Sequence, residues 1–404
     1  STTTTTTTTP APTITSINGA ISGSGAIGSQ FTVAGTSFQS ITAATTGYTV
    51  DFRDVATSNI IATAPVDFSV SGNWADTLIR ATVPAGLTLG ATYKFTVTTP
   101  SGTSGSLNFL IVPSVSFSPS TSLWSQTLSL PSPRQGIATI AAPMGATTFL
   151  FAIGGNTGTP GAADASKMNI SSVYQAMLNG IDGSVQNASW TTATSLPVNR
   201  GFAAAVFANQ YNSLAGGNTV YVLGGLDETG TATNMVILAS ITSNGSIPSA
   251  GTTGTWSTTT ALPQALYGEA AAILHGRIYV AGGNDSSGNP VGTVYTAPIN
   301  GDGTLGTWVE LTSLPTPIAY HQLVALGNFL YVLGGEGAAT DPVTNTLGAS
   351  VQDAVYYDTV NLTDGTLLTT WNTNTNPLTT AREKFSAVGA VGFILISGGL
   401  YNGT

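Results

Sequence analysis

The feature that most constrains this chain is a strand-sized apolar run that ends in a pair of glycines and occurs five times. The runs are Phe149–Gly155, Val220–Gly225, Ile278–Gly283, Leu330–Gly335 and Phe393–Gly399, and their first glycines are spaced by 70, 58, 52 and 64 residues. Self-similarity at such intervals is the signature of a repeat architecture, and the runs are short and rich in β-branched and aromatic residues. From residue 114 onward we therefore predict a series of similar β-sheets, and the glycine content excludes a helical solenoid.

Other residues recur in phase with the glycine pairs. A tryptophan accompanies each repeat, at Trp124, Trp190, Trp256, Trp308 and Trp371. Leu-Pro begins six residues after each of the first four tryptophans, and the fifth has Pro377, preceded by Asn376, at that distance. Between glycine pair and tryptophan lie a further strand and a tight turn at Asp182-Gly183, Asn244-Gly245, Asp302-Gly303 or Asp364-Gly365. Such pairs favour type I′ hairpins, so each repeat is predicted to be a four-stranded antiparallel blade.

This pattern resembles the kelch β-propeller over residues 114–404. The resemblance implies that the first strand of each blade lines a central channel, the second ends at the glycine pair, and the tryptophan packs between blades. Five repeats are visible and the last is incomplete, because it stops soon after Gly398-Gly399. We expect the strand around Leu123–Leu128 to complete that final blade. Its third strand is missing, so either the chain continues beyond Thr404 or something else fills the gap.

Residues 13–113 have a different character, with short alternating runs punctuated by glycine, proline and asparagine. The runs are Phe31–Ala34, Tyr48–Phe52, Val66–Val70, Leu78–Val83, Tyr93–Val97 and Leu107–Val112. Their spacing predicts a sandwich of about seven strands. The segments Gly28–Phe38, Leu78–Pro84 and Gly90–Gly102 resemble, in that order, the IPT/TIG immunoglobulin-like domain, which implies a spacer or surface module without catalytic residues. Residues 1–12 form a Thr/Pro-rich linker or extended strand, so the fold class is all-β: an immunoglobulin-like sandwich followed by a kelch-type propeller.

Composition limits the chemistry of this chain. Charged residues make up 7% of 404, the net charge is −9, and there are two histidines and no cysteine. This excludes disulfides, thiolate nucleophiles and cysteine-ligated metals, and we expect no metal and no cofactor. Nine Lys and Arg cannot form the basic surface that nucleic acid needs, and no apolar stretch reaches the length of a membrane span. A low-charge, cysteine-free chain with a threonine tract favours an extracellular or cell-surface location.

The loops at one end of the predicted blades carry the residues most able to hold a ligand. The candidates are Arg134, Arg200, Tyr267, Glu269, Tyr320, His321, Arg382, Asp227, Asp285 and Glu336. Such a rim would suit a sugar through hydrogen bonds and stacking. The alternative is structural: the arginines would donate to carbonyls between blades, and His321 would make a hydrogen bond within a loop. No pair or triad has the spacing of an acid/base or nucleophilic site, so we predict no enzyme.

Two function classes follow. The first is a non-enzymatic structural or adhesive component of an envelope or extracellular filament, with other protein subunits as partners and self-assembly through strand addition by Thr2–Thr9. The second is a carbohydrate-binding or carbohydrate-active propeller that meets surface glycans. Six sequons make the chain a candidate glycoprotein, at Asn169, Asn187, Asn244, Asn284, Asn361 and Asn402.

Overall fold

A computed structural model gives the structure of the protein. It describes residues 10–17, 23–41, 43–66, 74–88, 90–112, 129–144, 147–159, 167–179, 186, 189–208, 218–337, 350–361, 363–390 and 393–401. The chain divides into two compact units, Ser1–Trp124 and Ser125–Thr404. The predicted boundary at residue 113, the predicted strand at 123–128, and Thr2–Thr9 all lie outside the described residues. The described part of the chain contains no α-helix, and so none that could span a membrane.

The first unit consists of two β-sheets that share one core. One sheet has the order β1-β3-β6 and the other β2-β9-β7-β4-β5, with β8 beside β7 and with β2 and β9 parallel. The strands are β1 (Thr13–Ile17), β2 (Gly23–Ala26), β3 (Gln30–Thr36), β4 (Thr49–Arg53), β5 (Ile60–Thr63), β6 (Leu78–Thr82), β7 (Thr92–Thr99), β8 (Gly102–Thr103) and β9 (Leu107–Val112). Strands occupy five of the six predicted runs, and the sixth lies at 67–70 outside the described residues.

Alternation of apolar and polar residues explains why these strands face a common core. On β3, for example, Phe31 and Val33 are buried while their neighbours are more exposed. Phe31, Phe52, Phe95 and Phe109 meet at the centre, with ring centroids 5.0 to 6.1 Å apart and mostly edge to face. Buried aromatic groups of this kind supply a large share of the apolar area that holds two sheets together.

The second unit is a series of antiparallel sheets, four of them four-stranded, which we call blades 1 to 4. Blade 1 contains β10 (Ala138–Met144), β11 (Thr147–Ile153), β12 (Val173–Asn179) and β13 (Thr191–Ala193). Blade 2 contains β14 (Ala204–Ala208), β15 (Thr219–Leu223), β16 (Val236–Ser240) and β17 (Ser257–Thr258). Blade 3 contains β18 (Ala270–Leu274), β19 (Arg277–Ala281), β20 (Val294–Pro298) and β21 (Val309–Leu311), and blade 4 contains β22 (Gln322–Leu326), β23 (Phe329–Leu333), β24 (Val355–Thr359) and β25 (Asn372–Thr373).

The fifth repeat forms two short two-stranded ladders. Strand β26 (Arg382–Glu383) pairs with β29 (Leu400–Tyr401), and β27 (Ser386–Ala390) pairs with β28 (Phe393–Ser397). We call this part blade 5. The first strands of successive blades contact one another in the order β10, β14, β18, β22, β27. The prediction of four-stranded blades therefore holds for four repeats. In blade 5, only β27 and β28 correspond to strands of that pattern, the first and the second, among the described residues.

Repeated contacts join each blade to the next. The indole N–H groups of Trp256, Trp308 and Trp371 donate to the carbonyls of Thr194, Thr260 and Thr312 in the preceding blade, at 2.8 to 3.0 Å. These three tryptophans thus have the predicted position between blades, and Trp124 lies outside the described residues. The phenol of Tyr279 likewise donates to the Gly365 carbonyl of the following blade at 3.0 Å, and that of Tyr221 to the Gly303 carbonyl.

The glycine pairs end the second strand because only glycine fits the turn. Gly282 has a φ of 58° and Gly283 a φ of 94°. A Cβ atom on Gly282 would collide with the carbonyl of Ile318 and the ring of His321 in the next blade. In four of the five pairs the N–H of the second glycine donates across the blade junction at 2.8 Å, from Gly155, Gly225, Gly283 and Gly335. The repeated glycines therefore allow the close approach that binds neighbouring blades.

Candidate functional site

Five equivalent residues, one before the first strand of each blade, adopt a left-handed backbone conformation. They are Gly136, Phe202, Gly268, Tyr320 and Lys384, with φ between 52° and 64°. The N–H of each of the last four donates to the carbonyl of its predecessor, at 2.8 to 3.0 Å. Three of the five are not glycine, and non-glycine residues in this region are uncommon outside strained or functional sites. The series marks one end of the blades as the place to look for a site.

A cavity of about 440 Å³ opens at this series of residues. All five blades contribute to its wall, which consists of Gln135, Gly136, Ile137, Phe202, Ala203, Gly268, Glu269, Tyr320, His321, Gln322, Lys384, Phe385, Gly399 and Leu400. A volume of that order accommodates a small ligand, and clefts with a few convergent polar groups are the usual form of binding sites. The repeat architecture therefore brings residues that are far apart in sequence to one concave surface.

Glu269 is the most strongly perturbed acid in this wall. Its side chain is buried, and burial raises the pKa of the carboxyl group to about 8, although hydrogen bonds from backbone N–H groups and the charge of Arg200 oppose the rise. Oε1 lies 3.4 Å from the Ala204 amide nitrogen, and Oε2 has no hydrogen-bond partner among the described residues. At neutral pH the group is mainly a neutral acid that can donate one hydrogen bond.

His321 occupies the equivalent position in the next blade and is also uncharged at neutral pH. Burial lowers the pKa of its imidazole to about 4, and the nearby Ala281 carbonyl only partly opposes that effect. Within the described residues, neither ring nitrogen has a hydrogen-bond partner of regular geometry. Unsatisfied buried polar groups are rare in folded proteins, so these atoms are candidates for contact with water or a ligand.

Aromatic and cationic groups complete the wall. Burial raises the pKa of the Tyr320 phenol well above its ordinary value, so the group stays protonated. The Lys384 ammonium lies 5.0 Å from the centre of the Tyr320 ring and 4.0 Å from the Glu383 carboxylate. The cavity thus combines neutral hydrogen-bonding groups, an aromatic ring and one cation that already has two partners. Such a surface suits binding of a neutral polar molecule.

The predicted arginines do not line this cavity. Arg134 donates to the Gly154 carbonyl and to Ser172, each at 3.0 Å, and Arg382 donates to the Gly398 carbonyl at 3.0 Å. Both carbonyls belong to the arginine's own blade, so these contacts lie within a blade rather than between blades. Arg200 is buried, donates to the Asn199 carbonyl, and has its pKa lowered by burial.

Most of the predicted acids also have local roles. Asp227 accepts hydrogen bonds from the backbone N–H groups of Thr229 and Thr231, and Asp285 accepts them from Ser287 and Asn289, in equivalent exposed loops. Glu336 is buried and pairs through its backbone with Ala319. In the described part of the chain, no three His, Asp or Glu side chains come together as metal ligands would.

Of the ten predicted residues, the structure places Glu269, Tyr320 and His321 in the cavity wall, and Tyr267 packs 6.5 Å from the Tyr320 ring. Four further residues of the wall were not predicted from the sequence: Gln135, Phe202, Gln322 and Lys384. A signal was available, because each of these residues lies within three positions of the start of the first strand of its blade. Aligning the repeats at that point would have singled them out.

Two of the predicted glycosylation sites need correction. The side chains of Asn169 and Asn284 are buried, and the Asn169 amide accepts from Asn156 and donates to the Asp227 carbonyl. A glycan cannot attach to either side chain in the folded protein. Asn244 is exposed and Asn361 is partly exposed, while Asn187 and Asn402 lie outside the described residues.

Comparison with known proteins gives a short match and a distant one. No family model matches the chain. A segment of 41 residues is 49% identical to the human Kelch-like protein 34, and this segment spans 9% of the chain and only 6% of that protein. The solved structure of YjhT aligns with a TM-score of 0.43 and 16% identity, over 67% of this chain and 75% of that one. The repeated four-stranded sheets and the Kelch-like match support a kelch-type, propeller-like all-β fold.

Proposed function

We propose that this protein is a non-enzymatic extracellular surface protein with a structural or adhesive role, built from an immunoglobulin-like IPT/TIG module and a kelch β-propeller. The observation that carries the proposal is how the few charged side chains are used. Arg134, Arg382, Asp227 and Asp285 all bind nearby backbone groups of their own loops or blades. These four charged side chains therefore stabilise the fold. The cavity groups with the most strongly shifted pKa values, Glu269 and His321, are mainly neutral at pH 7.

Labelling of intact producing cells tests this role. With antibodies raised against the purified chain, we expect the protein to be accessible on unpermeabilised cells and to be released or cleaved by external protease. A cytoplasmic enzyme of the same cells serves as the control that must remain protected. Recovery of the chain only from the cytoplasm would contradict the proposal.

A second candidate is binding of a neutral carbohydrate in the cavity. The observation in its favour is the combination of the Tyr320 ring with unsatisfied hydrogen-bonding atoms on Glu269 and His321. Calorimetric titration with a panel of neutral sugars should then show saturable binding that Glu269→Gln weakens. Asp285→Asn is the matched control, because that residue lies on a loop outside the cavity. Equal affinity in both variants would exclude the cavity as the binding site.

A further inference from the structure

The wall of the cavity has an apolar side and a polar side. Blades 1, 2 and 5 contribute the apolar side chains Ile137, Phe202 and Phe385, and blades 3 and 4 contribute the polar side chains Glu269, His321 and Gln322. Gln135 and Lys384 are polar groups on the otherwise apolar side. A ligand that fits both sides has one apolar face and one polar edge.

The Glu269 carboxyl group is held on the polar side without a counter-charge. Arg200 is the cation whose charge acts on it, but no ion pair joins the two residues in the described part of the chain. The Arg200 guanidinium instead donates to the Asn199 carbonyl at 2.9 Å and lies 3.2 Å from the Met235 sulfur. A buried carboxyl group without a counter-charge keeps its proton. Since Oε1 lies beside the Ala204 N–H, the proton belongs on Oε2, which is then a donor without a partner among the described residues.

His321, on the adjacent blade, adds one donor and one acceptor to the same side. Its imidazole is uncharged at neutral pH, so one ring nitrogen donates and the other accepts. Together with Glu269, the polar side thus offers two donors and one acceptor that the described residues do not use. A pair of neighbouring hydroxyl groups matches this set, because each hydroxyl both accepts and donates. Each hydrogen bond made there recovers part of the free energy that a buried group without a partner costs.

We propose that the cavity binds a pyranose ring through the protonated form of Glu269. The C–H face of the ring lies against Phe202 and Phe385, and two neighbouring hydroxyls meet Glu269 and His321. An ionised Glu269 has no proton to donate, and a ring that fills the cavity displaces the water that the charged carboxylate needs. The ligand is therefore released as the solution becomes alkaline. The inference deepens the second candidate function, on which it rests, by naming the class of sugar and the control of its binding by pH.

The other titratable groups around Glu269 keep one state over the range in which Glu269 changes. Burial raises the pKa of the Tyr320 phenol well above its ordinary value and lowers the pKa of the His321 imidazole to about 4, so neither group changes charge between pH 6 and pH 9. Arg200 in blade 2 and Lys384 in blade 5 are cations, and side chains of these types ordinarily keep their charge up to pH 9. Burial raises the pKa of Glu269 to about 8. The affinity between pH 6 and pH 9 therefore reports on Glu269.

Calorimetric titration of the full chain with matched pairs of probes tests the proposal. The probes are the methyl pyranosides of glucose, mannose and galactose, each paired with the open-chain polyol of the same sugar, which has no rigid apolar face. At pH 6 we expect a pyranoside to bind about tenfold more tightly than its open-chain counterpart, because one face of the ring is buried. From pH 6 to pH 9 its affinity should fall about tenfold, since most of Glu269 is then ionised in the free protein. Near-UV circular dichroism confirms that the chain is folded at each pH.

Two variants and one measurement on the unmodified chain assign the effect to Glu269. Glu269→Gln keeps a neutral donor that cannot ionise, so its binding should be weaker at pH 6 and equal at pH 6 and pH 9. Asp285→Asn, on a loop outside the cavity, is the matched control and should keep the full dependence on pH. In the unmodified chain at pH 8, titrations in phosphate and in Tris, which differ in their heats of ionisation, should show uptake of about half a proton per ligand.

The possible failures are distinguishable. If no probe binds at any pH, carbohydrate binding in the cavity is overturned together with its dependence on Glu269. If a pyranoside binds equally or more tightly at pH 9, or without proton uptake, the role of protonated Glu269 is overturned and carbohydrate binding stands. If the open-chain polyols bind as tightly as the pyranosides, the assignment of a pyranose ring is overturned. None of these results bears on surface location, which cell labelling tests independently.

Discussion

Glu269 and His321 occupy a position, directly after the left-handed residue, that the other three repeats fill with Ile137, Ala203 and Phe385. The position points toward the glycine pair of the preceding blade, since a Cβ on Gly224 would meet the Glu269 carboxyl and one on Gly282 would meet the His321 ring. Two ionisable groups therefore occupy a position between blades that is apolar in the other three repeats. Their buried location makes the stability of the second unit depend on pH.

The two groups change the free energy of unfolding in opposite directions as pH rises. The pKa of Glu269 rises from 4.5 to about 8 on folding, so its contribution is complete below pH 4.5 and is lost as pH rises toward 8. The pKa of His321 falls from 6.5 to about 4, so its contribution is complete above pH 6.5 and is lost as pH falls toward 4. His275, whose pKa burial also lowers, adds to the acid side.

We therefore predict a free energy of unfolding that changes little between pH 4.5 and 6.5 and declines on both sides. Denaturant unfolding of the full chain at pH 4 to 9 measures it. Glu269→Gln should remove the decline between pH 6.5 and 8, which we expect to be on the order of a few kcal/mol. His321→Phe should reduce the acid decline and uncover part of the Glu269 decline between pH 4.5 and 6.5, which the histidine offsets in the unmodified chain. A Glu269→Gln profile with an unchanged alkaline slope would show that another group causes it.

At the scale of single residues, the sequence predicted some of the cavity wall but not all of it. It singled out Glu269, Tyr320 and His321, because titratable and aromatic residues near repeat boundaries are few in a chain with 7% charged residues. It predicted, as the structural alternative, that the arginines donate to carbonyls between blades, whereas Arg134 and Arg382 donate to glycine carbonyls of their own blades. Whether a polar side chain faces a cavity or a carbonyl depends on tertiary distances that a repeat pattern does not contain.

At the scale of strands and blades, tyrosines on the second strands of blades 2 and 3 join these blades to the next blade. Tyr279 is fully buried and donates to the Gly365 carbonyl in the turn of blade 4. Burial raises the pKa of Tyr279 to about 12, so the phenol remains a donor throughout the physiological range. Tyr331, the equivalent residue of blade 4, is only partly buried.

Tyr279→Phe tests this contact. Removal of the hydroxyl leaves a buried carbonyl without its donor, so we expect a loss of about 1 to 2 kcal/mol in the free energy of unfolding. Tyr331→Phe is the matched control, and its smaller effect follows from access of water to the same position. Chemical denaturation of the two variants gives both values. Similar losses in the two variants would contradict the account of the blade junction.

The blades themselves could be predicted because their signals are local. Glycine pairs, Asn-Gly and Asp-Gly turns, and alternating runs act over a few residues, and they correctly indicated the strands of blades 1 to 4. The left-handed backbone conformation of the residue before each first strand was not predicted, since Phe202, Tyr320 and Lys384 are unusual residues for that conformation. Hydrogen bonds to the neighbouring blades hold them there, and the sequence of one repeat alone does not show those bonds.

At the scale of the whole molecule, the contacts between blades are present at four junctions, from blade 1 to blade 5. The described residues include no backbone hydrogen bond from Gly136 or Gly399 that would continue the series past blade 5. Among the described residues, the fifth repeat shows only the pair β27–β28 of the four-stranded pattern. The exposed positions of Val388 and Leu395 could not be predicted, because exposure depends on which chain covers them.

The central claim is that this protein acts through assembly on a surface, and electron microscopy of the full chain tests it most directly. The account predicts that the full chain forms regular filaments or envelope-like assemblies. A preparation of uniform single particles, at concentrations where the chain is folded and intact, would contradict it.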